Sequence, residues 1–484
     1  MANESLRNKT LKGVGWSATE NLLQYGTSFI IGLILARLLS PVEYGMIGMA
    51  MVCITIMNVF VDSGFSSALI RKVDATDEDY STMFVTNMFV SIVMYLVLFA
   101  SAPFISSFMK TDITAVVRVL GIAVLIKAFS FVQNTYLSKR IDFKTKAKAT
   151  FTSAVTGGIA GVIGAFAGMG VWALVLQQLL TGLVNTILLW FMSPWKPSLK
   201  FNTESFRYLW GFGSKMLLSS LLDQIWKQIY VVLVGKVYSS ATLGQYTRAK
   251  HYAELFSSNI NSVVSKITYP TLSNIQNEEQ RMISVYRRII KVTMFVTTIC
   301  LFGLGAVSEP LLYCLIGPQW SEAASYLPFI CVQLSLYPMH SINLNMLMVQ
   351  GRSDLFLYLE IIKKFLSPIP ICLGIFVGIK AMLLGAIAVG IASYFLNSYY
   401  TGKKLNYSSW KQLKDVAPSY GIALLVALSV YFFKYLSISY FIILPIQIAV
   451  GVVVFFIANE LVKTEEYLEV KSIAIRLICK IIGK

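Results

Sequence analysis

Apolar residues in this chain gather in runs of about 20, separated by short polar breaks, and this spacing decides the fold class. A helix of about 20 apolar residues spans the roughly 30 Å hydrocarbon core of a bilayer. Fourteen such runs can be read, near 13–38, 43–66, 81–104, 113–136, 148–168, 171–192, 209–235, 242–270, 287–312, 322–349, 354–378, 381–401, 415–435 and 439–461. The pattern predicts an all-α polytopic membrane protein. A membrane-spanning barrel would instead show short alternating segments. The longest connections include KRIDFKTKAK, SPWKPSLKFNTESF and NIQNEEQRMISVYRR, and none is large enough to fold as a separate domain.

Pro194 and Pro197 interrupt the chain between the sixth and seventh runs. The expected organisation is an N-terminal lobe at 1–192, a linker at 193–206 and a C-terminal lobe at 207–402. Two further spans occupy 403–462, and an amphipathic tail occupies 463–484. The two lobes share a weak similarity that rests on few identities. Gly13-Val14-Gly15 matches Gly211-Phe212-Gly213. After one gap, ARLLSPVEYG at Ala36–Gly45 aligns with GKVYSSATLG at Gly235–Gly244, so that Arg37, Ser40 and Gly45 fall on Lys236, Ser239 and Gly244. If the likeness reflects a repeat, the two six-span halves share one orientation, which implies a two-fold axis along the membrane normal. In the fifth run, Gly157 and Gly161 are four apart, as are Gly164 and Gly168. Small residues at that interval let helices pack closely.

Polar positions inside the spans carry the functional signal. In the seventh run Lys215, Ser219, Asp223 and Lys227 recur every four residues and form one row. The eighth sets an apolar stripe against a polar arc that contains Glu254 and is flanked by Arg248, Lys250 and Lys266. In the first, Ser17, Glu20, Asn21, Gln24 and Ser28 make a polar face. An ionised side chain at the bilayer centre costs roughly 2.5–3.5 kcal/mol on insertion scales. The natural solution is a hydrated cavity with a positive wall, whose cargo is an anion. The candidate anion contacts are Arg248, Lys250, Lys266, Lys215, Lys227, Lys127, Lys363 and Lys364. Local pairing is the alternative for several: Lys250 with Glu254, Lys227 with Asp223, and Lys363 and Lys364 with Glu360. Lys127 has the alternative of snorkelling to the interface. Glu20, Asp62 and Asp223 are the carboxylates that ion coupling would use. Glu20 could instead partner a cavity lysine, and Asp62 could cap a helix. Trp210 and Trp320 read as interfacial anchors.

Composition agrees. The 484 residues are 56% hydrophobic and 13% charged, with mean hydropathy +0.67. A net charge of +17 would suggest nucleic acid in a soluble protein, but here the location of the charge decides. With alternating topology and a cytoplasmic N-terminus, 27 of the 41 Lys and Arg residues fall on the cytoplasmic side and six on the other. The positive-inside rule therefore orients the chain with both termini cytoplasmic. The basic excess suits anionic lipid headgroups, and no nucleic-acid partner is expected. The six cysteines are scattered, with no CxxC and no Cys/His cluster, so neither disulfide nor metal nor other cofactor is expected. No GxxxxGK[ST] loop is present to bind a nucleotide. The N-terminus MANESLRNKT lacks a cleavable signal pattern.

Several motifs resemble one family. ARLLSPVEYGMIGMA at Ala36–Ala50, VDSGFSSALIRK at Val61–Lys72 and SKRIDFKTKAK at Ser138–Lys148 look like segments of polysaccharide flippases in the MOP exporter superfamily. IGPQWSEAASYLPFI at Ile316–Ile330 and VQGRSDL at Val349–Leu355 continue the likeness in order. The resemblance spans roughly Lys12–Gly402 and is nearest to the branch handling O-antigen, colanic-acid-like and teichuronic-type units. It implies two six-helix lobes, alternating access, and a cargo of undecaprenyl-pyrophosphate-linked oligosaccharide moved across a bacterial inner membrane alongside other polysaccharide-assembly proteins. It implies no covalent chemistry. An H+- or Na+-coupled multidrug exporter on the same fold is the alternative. A membrane-embedded polymerase would need an extracytoplasmic catalytic loop, and no connection here is long enough.

Overall fold

The computed structural model describes residues 26–481, which are mostly helical with no strand among them. Glu20 and the rest of the first span's polar face up to Gln24 lie outside the described residues, as does the side chain of Lys266. The chain forms α1 (Gly26–Leu38), α2 (Pro41–Asp62), α3 (Phe65–Arg71), α4 (Asp77–Met109), α5 (Thr114–Leu120), α6 (Ile122–Lys139), α7 (Phe143–Phe166) and α8 (Val171–Met192). It continues with α9 (Thr203–Val237), α10 (Ser240–Asn274), α11 (Glu279–Ala306), α12 (Ser308–Ile316), α13 (Ser321–Ser335) and α14 (Tyr337–Val349). Last come α15 (Ser353–Leu366), α16 (Pro368–Phe376), α17 (Ile379–Leu405), α18 (Ser409–Tyr431), α19 (Tyr440–Val462) and α20 (Glu465–Ile481).

Ten spans among the described residues are long and apolar enough to cross a membrane. The other expected spans depart from that pattern for physical reasons. The first is described only from Gly26. The eighth, α10, is unbroken over 35 residues but too polar to meet the same criterion. The tenth is split between α13 and α14 beside Pro338, and the eleventh between α15 and α16 at Ser367–Pro368. Proline lacks the N–H that a continuing helix needs and crowds the preceding turn. The long helices overrun the runs read from sequence. α9, with 35 residues, is about 52 Å long at 1.5 Å per residue.

The chain divides into two compact units, residues 1–247 and 248–484. The segment read as a linker, 193–206, lies inside the first. Trp195 is buried in its core with Phe65, Tyr80, Phe84 and Tyr136. The Ser198 hydroxyl lies 2.7 Å from that of Ser81, and the Asn202 N–H donates to the Thr82 hydroxyl at 3.0 Å. Asn202 then caps α9 by accepting from the N–H groups of Glu204 and Ser205. α9 packs on α2, α3 and α4, which keeps the seventh span in the first unit.

Two motifs meet at that packing. Ser63 and Gly64 take left-handed backbone angles (φ 51° and 70°), which ends α2 and starts α3 at a bend. A side chain at Gly64 would lie 2.5 Å from the Gly213 carbonyl oxygen, and one at Gly213 would lie 2.7 Å from Ser63 and Phe65. The bend therefore fits α9 only through glycines. The glycines of α7 do two jobs. Gly157 and Gly161 face α8, where added side chains would lie 2.0 Å from the Thr181 hydroxyl and 2.8 Å from Gln177. Gly168 touches nothing and instead supplies a turn at φ +74°.

At the foot of α4, Asp79 is fully buried. It accepts from the Thr76 N–H at 2.8 Å and pairs with Lys72 at 2.7 Å. The second unit is built around a buried polar knot. Tyr286 and Thr401 both donate to the Asn343 carbonyl oxygen, at 2.8 and 2.7 Å, and Asn343 donates to Gln412 at 3.1 Å. The knot ties α11, α14, α17 and α18 inside an apolar core containing Met294, Ile342 and Met346. The tail forms α20, and its acids meet α11: Lys291 pairs with Glu465 at 2.7 Å and Glu466 at 3.4 Å, and Arg288 pairs with Glu469 at 2.7 Å. All six cysteines are free thiols.

Candidate substrate cavity and its charges

A cavity of about 670 Å³ with mixed polar and apolar walls lies within the first unit, between helices long and apolar enough to span a membrane. Each wall is one face of a helix. α6 contributes Lys127, Ser130, Phe131 and Asn134, at i, i+3, i+4 and i+7. α7 contributes Lys146, Thr150 and Ser153 at the same kind of interval. α2 adds Thr55 and Asn58, and α8 adds Gln177, Gln178, Thr181 and Asn185. Among the described residues that line it are two lysines and no carboxylate. The side-chain oxygens of Asn58 and Asn185 are buried with no hydrogen-bond partner. Buried acceptors are normally satisfied, so these two call for a donor.

A second cavity of about 380 Å³ adjoins it and shares Thr55, Asn58, Lys127 and Phe131. It adds Asp62, Ser220 and Gln224. Asp62 stands on the last turn of α2, just before the Ser63–Gly64 bend. It accepts from the Ser66 hydroxyl, which in turn accepts from Thr135 at 3.0 Å. The Lys127 ammonium lies 5.4 Å from the centre of the Phe131 ring, within cation–π range. Of the residues picked out by charge, Lys127 and Asp62 are thus brought to adjoining hollows.

The remaining candidates are spread along single helices. Lys215 is exposed on α9. Lys227 pairs with Asp223 at 2.6 Å, and both side chains are about three-fifths exposed. On α10, Lys250 pairs with Glu254 at 3.7 Å. Arg248 is only 7% exposed, with its guanidinium 5.2 Å from the Tyr252 ring centre and 6.0 Å from that of Trp320. Trp320 is therefore not the interfacial anchor that its position in a connection suggests. It is fully buried, and its ring helps enclose an arginine. Trp210 is half-exposed and stacks on Phe206. On α15, Lys363 is paired with Glu360, and Lys364 is half-buried.

Sequence reasoning picked out Ser28 but passed over the other hydroxyls and the amides of the first cavity. It also assigned Lys146 to a cytoplasmic loop. α7 in fact begins at Phe143 with an Asp142 cap, so Lys146 stands in its first turn, where its ammonium donates to Ser138 at 3.0 Å. The helical spacing of those polar residues was the available signal.

Comparison with known proteins agrees with this architecture. Residues 34–325 match the family model described as "Polysaccharide biosynthesis protein". The chain is 25% identical to the succinoglycan biosynthesis transport protein ExoT of Rhizobium meliloti, over 64% of this chain and 63% of that one, so it spans just under two thirds of that relative's length. It is 24% identical to the teichuronic acid biosynthesis protein TuaB of Bacillus subtilis, over 73% and 74%, and 22% identical to the lipopolysaccharide biosynthesis protein WzxC of Escherichia coli, over 84% of each. In three dimensions it resembles the lipid II flippase MurJ in an inward closed conformation, with TM-score 0.70, 15% identity and coverage of 93% and 98%. An inward-facing multidrug MATE transporter of the MOP superfamily superposes with TM-score 0.63 at 16% identity, over 80% and 94%. With the matched region covering more than half of the chain, this multi-pass helical membrane protein of MOP-type fold belongs to the polysaccharide biosynthesis protein family.

Proposed function

We propose that the protein is a flippase that carries undecaprenyl-pyrophosphate-linked oligosaccharide from the cytoplasmic to the outer leaflet of a bacterial inner membrane, by alternating access. The observation that carries this reading is a cavity among apolar spans whose described lining sets Lys127, Lys146 and a group of amides and hydroxyls among apolar residues. A lipid-linked saccharide has three parts with different needs. Its prenyl tail can stay in lipid, its glycan needs hydrogen-bonding partners, and its pyrophosphate needs cations. Sugar hydroxyls are the donors that the Asn58 and Asn185 oxygens lack, and Lys127 and Lys146 suit an acidic sugar or the pyrophosphate. Arg248, Lys250, Lys266, Lys215, Lys227, Lys363 and Lys364 are the further cations assigned to the diphosphate. Opposite charges 4 Å apart gain about 1 kcal/mol in water but about 4 at an effective dielectric of 20, so a confined site holds such an anion far better than an open one. The relatives' names supply the class of cargo: they concern succinoglycan, teichuronic acid and lipopolysaccharide biosynthesis, and the first is a transport protein. Both termini are assigned to the cytoplasm, and anionic lipids and other assembly proteins are the expected neighbours.

A second reading has its own observation. Asp62 lines a hollow beside Lys127, and a carboxylate there suits proton or sodium coupling. Coupled export of a small cationic drug would depend on Asp62 and not on the lysines. The test is transfer of a defined undecaprenyl-pyrophosphate oligosaccharide in proteoliposomes. Lys127→Gln should lower the rate at least tenfold. Full activity in Lys127→Gln and in Lys146→Gln would remove the cavity from the pathway. A loss confined to Asp62→Asn would favour coupled drug export.

A further inference from the structure

Where α8 ends, an apolar hollow and a charged one share a lysine. The apolar hollow, about 410 Å³, lies between α6 and α8, with walls that include Ile126, Phe129, Leu183, Ile187, Trp190 and Phe191. Its polar groups are already satisfied. The Thr186 hydroxyl donates to the Ile126 carbonyl oxygen at 3.1 Å, and the Trp190 indole N–H donates to that of Phe129 at 2.8 Å. The hollow therefore offers hydrocarbon surface, and Phe191 at its rim is 81% exposed.

The charged hollow, about 470 Å³, lies between the start of α4, the end of α6 and residues 194–200. Lys196 lines both hollows. The second sets three cations, Arg140, Lys196 and Lys200, beside two carboxylates, Asp77 and Glu78. All five side chains are exposed. Several are held in place. The Lys196 ammonium donates to the Trp190 carbonyl oxygen, on the last turn of α8, and its other N–H groups remain to meet an acceptor. The Arg140 guanidinium lies 4.2 Å from the centre of the Tyr136 ring, and Glu78 accepts from the Asn202 amide at 2.8 Å.

α6 and α8 end together at the edge of the apolar spans, at Lys139 and Met192. The lysine and arginine bias assigns that edge to the cytoplasmic side. Trp190 belongs at headgroup level, where its ring has one apolar and one wet neighbour. From Leu183 to Trp190 the helix rises about 11 Å, so the apolar hollow lies within one leaflet. Among the described residues, neither hollow shares a lining residue with the 670 Å³ cavity that contains Lys127.

Hydrocarbon comes first, then a cation, then cations and carboxylates together. A phospholipid with an amine headgroup has the matching order: acyl chain, phosphate, ammonium. A purely anionic headgroup would meet like charge at Asp77 and Glu78. We infer that the two hollows form one site for a phospholipid bearing a primary amine, of which phosphatidylethanolamine is the simplest. One acyl chain lies between α6 and α8, the phosphate meets Lys196, and the ammonium meets Asp77 and Glu78. The inference goes beyond the transport reading and does not rest on it.

The test uses the full-length protein in phosphatidylglycerol vesicles with a trace of phosphatidylethanolamine carrying a diazirine in one acyl chain. After photolysis, peptide mass spectrometry should find label concentrated at 126–129 and 183–191 relative to the exposed apolar face of α19. A tenfold excess of unlabelled phosphatidylethanolamine should cut that label at least threefold. The same excess of phosphatidylcholine, whose quaternary amine has no N–H to donate, should not. Lys196→Gln should lower the label at least fivefold and Lys196→Arg should keep it, with label on α19 constant as the check on folding. Asp77→Asn together with Glu78→Gln should make the two competitors equal. Label spread evenly over the apolar faces, or unchanged in Lys196→Gln, refutes the site. Equal competition in the unaltered protein, or selectivity that survives the double substitution, refutes the amine assignment.

Discussion

Asn343 shows how much one uncharged side chain can hold. Its carbonyl oxygen accepts from Tyr286 and Thr401, and its amide donates to Gln412, all of them buried. Asn343→Leu keeps the volume but leaves these groups without partners, at about 1–3 kcal/mol for a buried unsatisfied group. We expect a clear fall in thermal stability in detergent. A melting curve like the wild type's would mean that the knot is dispensable. The same residue marks where sequence reading stops. Lys127 and Asp62 were legible because a charge within an apolar run has few explanations. Asn58, Asn185 and Asn343 were not, because a neutral amide hardly alters a hydropathy pattern, and the partners of Asn343 lie far away in the chain. Arg248 was legible as a cation, but its seat between Tyr252 and Trp320 was not, since Trp320 is 72 positions later in the sequence.

Among the elements, the α7–α8 pair carries the sharpest expectation. Gly157→Val would drive a side chain into Thr181 and into the backbone at Gln177, where a bare Cβ already comes to 2.0 and 2.8 Å. Overpacking of this kind costs typically 1–3 kcal/mol. The substitution should reduce the yield of monodisperse protein on size-exclusion chromatography, whereas Gly211→Ala, which meets nothing within 4 Å, should not. Helix existence was largely legible, because apolar period and length declare a span. Helix continuity was less so. Pro338 and Pro368 sit inside runs that read as unbroken, and the Ser63–Gly64 bend follows from backbone angles that composition cannot reveal. Pro194 and Pro197 did signal an interruption, yet the segment is docked, because Trp195 and Asn202 find partners more than 50 residues away.

For the molecule as a whole, the tail provides a pH-dependent clamp. Glu465 on α20 is held below the ordinary glutamate range chiefly by its hydrogen bond from Lys291, and then by that lysine's charge. A lowered carboxyl value means that the contact stabilises fully above the unfolded value near pH 4.3 and is lost as pH falls through the lowered one. A fluorophore on Cys479, with the other cysteines replaced, should keep constant anisotropy from pH 8 to 5 and become more mobile only once the pH has fallen below the ordinary glutamate range. Lys291→Glu should give the mobile state at pH 7. If anisotropy falls between pH 8 and 6, the clamp is not this carboxylate. The fold class was legible at this scale, since it is a property of period. The position of the boundary between the compact units, at residues 247 and 248, was not. It depends on which earlier helices α9 lies against.

The bend after Asp62 has an electrical consequence. A helix ends with its carbonyl groups directed outward, which amounts to about half a negative charge at its C-terminus. Asp62 stands on that last turn, so its carboxylate and the end of α2 share one sign, while Lys127 and Lys146 on neighbouring helices carry the other. The adjoining hollows are therefore polarised rather than uniformly positive. A guest charged at one end only would enter with a defined heading, and reversing it would mean working against the field.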